Sequence, residues 1–333
     1  LTIHVQDLTK EFRRYMRKEG SFAALRNLFG TEYNTLRAVD DVSFDIGEGE
    51  LVGYIGPNGA GKSTSIKMMT GILVPTSGVV EVNGISPQRD RVRNARQIGV
   101  VFGQKTQLWW DVPVIESLRL LRDIYKVPEA QFQRNLALFS DLLDIDRFWH
   151  TPVRQLSLGQ RMRADLAAAF LHNPKVLFLD EPTIGMDVVA KERLRQFIRE
   201  INRQEKVTVL LTTHDMTDIE KLCSRLMIID RGQLIYDGSL ERLRLTHAQH
   251  RTLIIEFETE LGDFSVPGAE LIRTEGRRKW FRFNRLETSP SDLIMFMGSR
   301  YPVVDLTVEE PEIEATVREI YQGTAAGLRE VAP

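Results

Sequence analysis

The run Leu51-Val52-Gly53-Tyr54-Ile55 leads directly into Gly56-Pro57-Asn58-Gly59-Ala60-Gly61-Lys62-Ser63-Thr64, and this junction constrains the fold more than any other stretch. The first five residues read as a buried strand, and a helical pattern follows from Ser65 to about Thr70. A strand, a glycine-rich turn and a Lys-Ser helix start together form a phosphate-binding loop in its expected setting. The glycines let successive backbone N–H groups turn inward, and the helix N-terminus adds partial positive charge. Lys62 can then reach the β- and γ-phosphates of a nucleotide, and Ser63 can bind Mg²⁺.

A chain of 333 residues is long enough for one large domain and a smaller one. A formal net charge of −2 gives no sign of the basic field of a nucleic-acid binder. The single cysteine, Cys223, sits in an apolar helical segment and reads as a buried, inert thiol. No apolar run approaches the ~18–20 residues that span a bilayer. The first residues, Leu1 to Val5, read as a strand and carry no secretory signal pattern. A cytoplasmic location is expected, with any membrane role supplied by a partner.

Short apolar strands are predicted at Val39–Phe44, Leu51–Ile55, Val79–Val82, Ile98–Phe102, Val176–Leu179 and Val207–Leu211. A closing hairpin is expected from Leu226 to Tyr236 around Arg231-Gly232. Residues 13–35 interrupt the pattern. There a basic cluster (Arg13, Arg14, Arg17, Lys18) precedes Phe22, Leu25, Leu28 and Phe29 at roughly helical spacing. This insertion reads either as a solvated excursion or as an amphipathic helix that touches a membrane or a permease. Residues 104–172 read as a mostly helical subdomain. A first domain is expected over 1–244, a small α+β domain over 245–322, and a flexible tail over 323–333.

Val176-Leu177-Phe178-Leu179-Asp180-Glu181 places an acidic pair at the carboxyl end of a buried strand, where open α/β sheets bind ligands. Asp180 is positioned to hold Mg²⁺ and Glu181 to polarise an attacking water. Phosphoryl transfer needs this combination of neutralised charge and oriented nucleophile.

Further elements follow in order. Gln104 ends the strand Ile98–Phe102, Leu156-Ser157-Leu158-Gly159-Gln160 opens a helix, Gly185-Met186-Asp187 follows the acidic pair, and His214 follows Thr212-Thr213. With these motifs, residues 1–240 resemble the ATP-binding subunit of an ATP-binding cassette (ABC) transporter. The resemblance implies a P-loop NTPase core with a mostly parallel sheet, an antiparallel β subdomain and a helical subdomain, joined here by the small C-terminal α+β domain. It implies ATP and Mg²⁺ as ligands, with Asn58, Gly59, Ala60, Gly61, Lys62, Ser63 and Thr64 around the phosphates. Gln104 would contact Mg²⁺ or the attacking water, and His214 would contact the γ-phosphate and act with Glu181. Ser157, Gly159 and Gln160 would meet ATP held by a second copy, and Asp187 would link the two sites. An aromatic residue, Phe12 or Tyr33, would stack on adenine.

Each of these residues also has a plainer reading. Asp187 can be the N-cap of a helix from Val188, and Ser157 can simply cap its own helix. The signature departs from the family in having Leu158 where Gly is common, while Ser157 and Gly159 remain. The pair Trp109-Trp110 cannot point both rings into one core from a regular element, so one ring is expected to be exposed. In the family this region receives a permease helix, which makes Gln104, Trp109 and Trp110 candidate permease contacts. The motif set most resembles stand-alone ATPase subunits of bacterial multidrug or antibiotic exporters. The expected protein is an export motor at the cytoplasmic face of the membrane, dimerising head to tail on ATP. The alternative is a soluble ABC ATPase acting on ribosomes or nucleic acid. In the C-terminal domain, Trp280, Phe281 and Phe283 read either as a ligand or partner site or, preferred here, as a core hairpin.

Overall fold

The computed structural model describes residues 1–15, 33–103, 105–247, 250–310 and 313–325. The chain divides into one unit spanning Leu1–Asp237 and a second beginning at Gly238.

In the first unit, β1 (Ile3–Tyr15), β2 (Tyr33–Ile46), β3 (Leu51–Ile55), α1 (Lys62–Met69), β4 (Ser77–Val82), α2 (Arg91–Ala95) and β5 (Ile98–Phe102) come first. They are followed by α3 (Val114–Tyr125), α4 (Glu129–Leu143), α5 (Leu158–Phe170), β6 (Val176–Asp180), α6 (Val188–Glu205), β7 (Thr208–Thr212), α7 (Met216–Leu222), β8 (Arg225–Asp230) and β9 (Gln233–Ser239). Six strands form a sheet in the order β5-β6-β7-β3-β8-β9, and the neighbouring strands from β5 to β8 run parallel. Near-continuous apolar runs suit this sheet, because both of its faces are covered. Leu177, Phe178, Leu179, Val209, Leu210 and Leu211 are all fully buried. The strand order brings the carboxyl ends of β3, β5, β6 and β7 to one edge, which fixes where a ligand can sit.

A second, antiparallel sheet has the order β2-β1-β4. Its β1–β2 ladder continues through Arg13↔Thr35, Arg14↔Asn34 and Tyr15↔Tyr33. Residues 13–15 and 33–35 of the expected insertion are therefore paired strand, and residues 16–32 lie outside the described residues. Residues at both of its ends keep pairing because the ladder hydrogen bonds tolerate the basic side chains, which point to solvent at Arg13. Arg17, Lys18, Phe22, Leu25, Leu28 and Phe29 lie outside the described residues.

The helical segment packs its aromatic residues against α6. Phe139 of α4 and Phe170 of α5 meet Phe197 with ring centroids 6.1 and 5.7 Å apart. Cys223 is buried, and burial pushes its thiol well above the usual range. No helix among the described residues is long and apolar enough to cross a membrane.

The second unit contains α8 (Leu240–His247), β10 (His250–Phe257), β11 (Ala269–Glu275), β12 (Arg278–Asn284), α9 (Pro290–Gly298), β13 (Val303–Glu309) and α10 (Ile313–Ala325). Its antiparallel sheet has the order β11-β12-β10-β13. Period-two alternation sends Leu253, Ile255, Phe257, Phe281 and Phe283 into a core with Leu293 and Met297 of α9. Trp280 lies on the opposite face, where the Arg273 guanidinium sits 4.8 Å from its ring. The expected core hairpin thus takes only two of its three aromatics. Helix α10 continues to Ala325, so the first residues of the expected tail, from Gly323 to Ala325, are helical, and residues 326–333 lie outside the described residues. One glycine costs a helix about 1 kcal/mol, and Ile313 and Val317 anchor this helix by burial.

Strand β5 passes so close to α5 that a Cβ on Gly99 would overlap the Ala169 carbonyl oxygen and the Leu177 side chain. Gly99→Ala should lower stability by about 1–3 kcal/mol, read as a reduced urea midpoint at unchanged m-value. An unchanged midpoint would show that α5 can move aside.

Candidate active site

A cavity of about 680 Å³ opens at the carboxyl edge of the parallel sheet, and its lining includes Asn58 through Thr64, Asp180, Glu181 and His214. The volume suits a nucleotide-sized ligand. Gly61 caps α1 with φ 112° and approaches the Ala38 carbonyl so closely that a side chain there would collide. This backbone turns the first helical N–H groups toward the cavity.

Lys62 is 7% exposed, and its Nζ donates to the carbonyl oxygens of Gly56 and Pro57 at 2.5 and 3.1 Å. The ammonium is therefore folded back on the turn that a phosphate would occupy. Burial lowers its pKa below that of an ordinary lysine, and the nearby Glu181 and Asp180 charges partly oppose that effect.

Asp180 ends β6 with both carboxylate oxygens engaged. Ser63 Oγ donates to Oδ2 at 2.9 Å, and Thr212 Oγ1 donates to Oδ1 at 2.6 Å. Glu181 follows in the left-handed region at φ 57°, an uncommon place for a non-glycine residue. Its N–H donates to the Thr212 carbonyl at 3.0 Å and to Thr212 Oγ1 at 3.2 Å, which holds the turn. His214 Nε2 lies 3.1 Å from Glu181 Oε1. The contact is off the line that a hydrogen bond needs, so this buried oxygen has no aligned donor among the described residues. Burial raises the Glu181 carboxyl above the usual range, Asp180 adds to the rise, and His214 and Lys62 oppose it.

An orphaned buried carboxylate oxygen and a hydroxyl–carboxylate pair are hard oxygen donors, and they fit Mg²⁺ together with phosphate oxygens. Ser63 and Asp180 are the residues that would hold the ion.

Ser157, Gly159, Gln160 and Asp187 do not line this cavity. Ser157 is the N-cap of α5 in a capping box: its Oγ accepts from Gln160 N at 3.2 Å, and Gln160 Oε1 accepts from Ser157 N at 2.9 Å. Asp187 caps α6, its Oδ1 accepting from Ala190 N at 2.8 Å. Leu158 rests on Gly185, where a side chain would strike it, so the signature tip seats on the loop that leads to Asp187. Phe12 is also outside the cavity, with the Lys10 ammonium 5.3 Å from its ring. Gln104 and the Tyr33 side chain lie outside the described residues. Trp109 and Trp110 are 41% and 50% exposed, so both rings reach solvent.

Several lining residues carry no signal in the sequence motifs, among them Ala38, Lys67, Ile72 and Lys105. Thr212 is the most consequential of the residues missed. Its signal was a hydroxyl at the carboxyl end of a buried strand, and the β6–β7 register sets it opposite Asp180. The segment beyond residue 104 is fastened to α5, where Asp165 Oδ1 accepts from Thr106 Oγ1 at 2.7 Å and from Gln107 N at 3.0 Å. Burial pushes the Asp165 carboxyl up to about 6.

The family model for ABC transporters matches residues 39–184. The chain is 32% identical over 215 residues to the ABC transporter ATP-binding protein NatA of Bacillus subtilis, covering 65% of this chain and 87% of that one. It is 34% identical over 219 residues to the probable multidrug ABC transporter ATP-binding protein YbhF of Escherichia coli, covering 65% and 37%. It is 33% identical over 220 residues to the methionine import ATP-binding protein MetN of Haemophilus influenzae, covering 65% and 64%. A solved ATP-binding subunit of an ABC transporter superposes with a TM-score of 0.62 at 27% identity, covering 74% and 92%. A dimeric post-hydrolysis ATP-binding cassette bound to ADP and Pi superposes at 0.60 with 25% identity, covering 72% and 98%.

Because burial raises the Glu181 pKa, the folded chain keeps that proton to higher pH than the unfolded chain. Stability therefore falls as pH rises from the ordinary glutamate range through the raised value, then levels off. Glu181→Gln removes this loss. In nucleotide-free thermal melts the variant should match the wild type near about pH 4 and exceed it at about pH 8. A wild type that gains on the variant as pH rises would contradict burial as the cause.

Proposed function

The chain belongs to the ATP-binding subunits of ABC transporters, which hydrolyse ATP, and from that premise we propose that it is the motor of an exporter. Two copies close head to tail around two ATP molecules and drive separate permease subunits at the cytoplasmic face of the membrane. The observation that carries this reading is the exposed tip of α5. Ser157 stands outside the cavity that holds Lys62 and Glu181. Its Oγ accepts within the capping box, which leaves the O–H proton to donate to a ligand beyond its own chain. The helix N-terminus adds its own attraction for phosphate. A second copy supplies the missing wall.

Within the cavity, Lys62 leaves the Gly56 and Pro57 carbonyls to meet the β- and γ-phosphates. Glu181, raised in pKa and with one carboxylate oxygen that has no aligned donor among the described residues, orients the attacking water and draws on its proton. His214, 54% exposed beside Glu181, faces the γ-phosphate. Mg²⁺, when held by Ser63 and Asp180, neutralises charge on the phosphate oxygens. Phe12 or Tyr33 covers the adenine, Gln104 senses the partner, and Asp187 links the paired sites.

The exposed rings of Trp109 and Trp110 suit a permease helix, since buried tryptophans are frequent anchors at interfaces. Export is supported by the likeness to a probable multidrug protein, although the chain is about as similar to a methionine importer. The near-neutral charge disfavours ribosomes or nucleic acid as partners.

Lys62→Ala should reduce ATP turnover by at least ~100-fold, the order seen when a group that stabilises transition-state charge is lost. Glu181→Gln with ATP and Mg²⁺ should elute as a dimer in gel filtration, and with Ser157→Arg added it should elute as a monomer. A wild-type turnover rate for Lys62→Ala, or a Glu181→Gln dimer indifferent to Ser157→Arg, would refute the shared site.

A further inference from the structure

Behind the cavity lies a buried polar cluster that the reaction as described does not use. Asp218, on α7, is fully buried, and its carboxylate gathers three residues from three separate segments. Thr183 Oγ1 donates to Oδ2 at 2.7 Å, and Thr213 Oγ1 donates to the same oxygen at 3.2 Å. Arg195 of α6 donates to Oδ1 through Nε at 2.7 Å, and its Nη2 forms an ion pair with the same oxygen at 2.5 Å. Thr183, Thr213 and Arg195 are 4%, 2% and 5% exposed. A second carboxylate extends the cluster. Asp215 accepts from Lys191 Nζ at 2.7 Å, and its own N–H donates to Thr213 Oγ1 at 3.0 Å.

The positions along the chain give this cluster its meaning. Thr183 lies two residues past Glu181, Thr213 immediately precedes His214, and Arg195 lies two turns into the helix that Asp187 caps. One carboxylate therefore joins the loop of Glu181, the loop of His214 and the helix behind Asp187. Desolvating a carboxylate and a guanidinium is costly, and such pairs are a poor source of net stability. Their geometry is narrow, however, because the guanidinium fork and the hydroxyls accept few arrangements. We infer that Asp218 is a positioning residue for hydrolysis: through the hydroxyls of Thr183 and Thr213 it holds Glu181 and His214 at their working separation, and through Arg195 it ties both to the helix headed by Asp187. This inference rests on the roles proposed above for Glu181 and His214.

Asp218→Ala would strand the Arg195 charge in the core, so the hydroxyls provide the cleaner test. Thr183→Val keeps shape and removes one donor to Asp218, and Thr213→Val removes a donor to Asp218 together with the acceptor of the Asp215 N–H. Each should lower kcat by roughly 10-fold, the order expected when a hydrogen bond that fixes the reacting geometry is lost. KM and the equilibrium affinity for ATP should change by less than about 2-fold, because the phosphate turn is untouched. Thr213→Ser and Thr183→Ser keep the hydroxyl and should restore the rate. In a His214→Ala background, Thr213→Val should cost less than about 2-fold more, since it acts through a side chain already removed. Normal kcat in both valine variants, or full additivity with His214→Ala, overturns the inference. If instead His214→Ala itself leaves kcat unchanged, the proposed role of His214 fails first and this inference falls with it.

Discussion

The Asp180 carboxylate is the point on which the site depends. One oxygen takes the Ser63 hydroxyl from the phosphate turn and the other takes the Thr212 hydroxyl from the next strand, so the start of α1 and the ends of β6 and β7 are joined by two hydrogen bonds. This works only because the sheet order places β6 beside β7 and β7 beside β3. The apolar strands set the order through burial, and the polar residues at their ends are brought together as a consequence. Thr212 then has a second task, bracing the Glu181 backbone in a conformation that costs about 1–3 kcal/mol by itself.

Electrostatically the cavity is unfinished. Lys62 satisfies its ammonium on carbonyls of its own turn, and Glu181 keeps a buried oxygen without an aligned donor among the described residues. Burial opposes the charged form of both groups. A bound anion with its counter-ion would change these relations, giving Lys62 a better partner and Glu181 a water to hold.

Much of this was legible in the chain. The strand–turn–helix junction at Leu51–Thr64 and the strand ending in Asp180-Glu181 appear where their periodicity put them, because continuous apolar runs next to glycine allow few alternatives. The α+β character of the C-terminal residues was legible as well, since alternation in β10 and β12 matches a sheet with one covered face. What the sequence hid were contacts between distant segments. Thr212, Thr183, Thr213 and Asp218 are ordinary polar residues until the register brings them within 2.6–3.2 Å of one another or of Asp180. The extended β1–β2 ladder was also hidden, because a basic cluster looks like a break when the backbone pairing that overrides it is unknown. Ser157 and Asp187 show the opposite case. Both are helix caps, as the plainer reading allowed, and a cap at an exposed helix tip is also where a phosphate can be met.

The most direct test is an experimental structure of the full chain with ATP and Mg²⁺ in the Glu181→Gln background. The account predicts that Lys62 Nζ leaves the Gly56 carbonyl for the β- and γ-phosphates, with Ser63 and Asp180 at the metal and Ser157 of a second copy against the γ-phosphate. Density showing Lys62 still on Gly56 and the triphosphate bound elsewhere would contradict it.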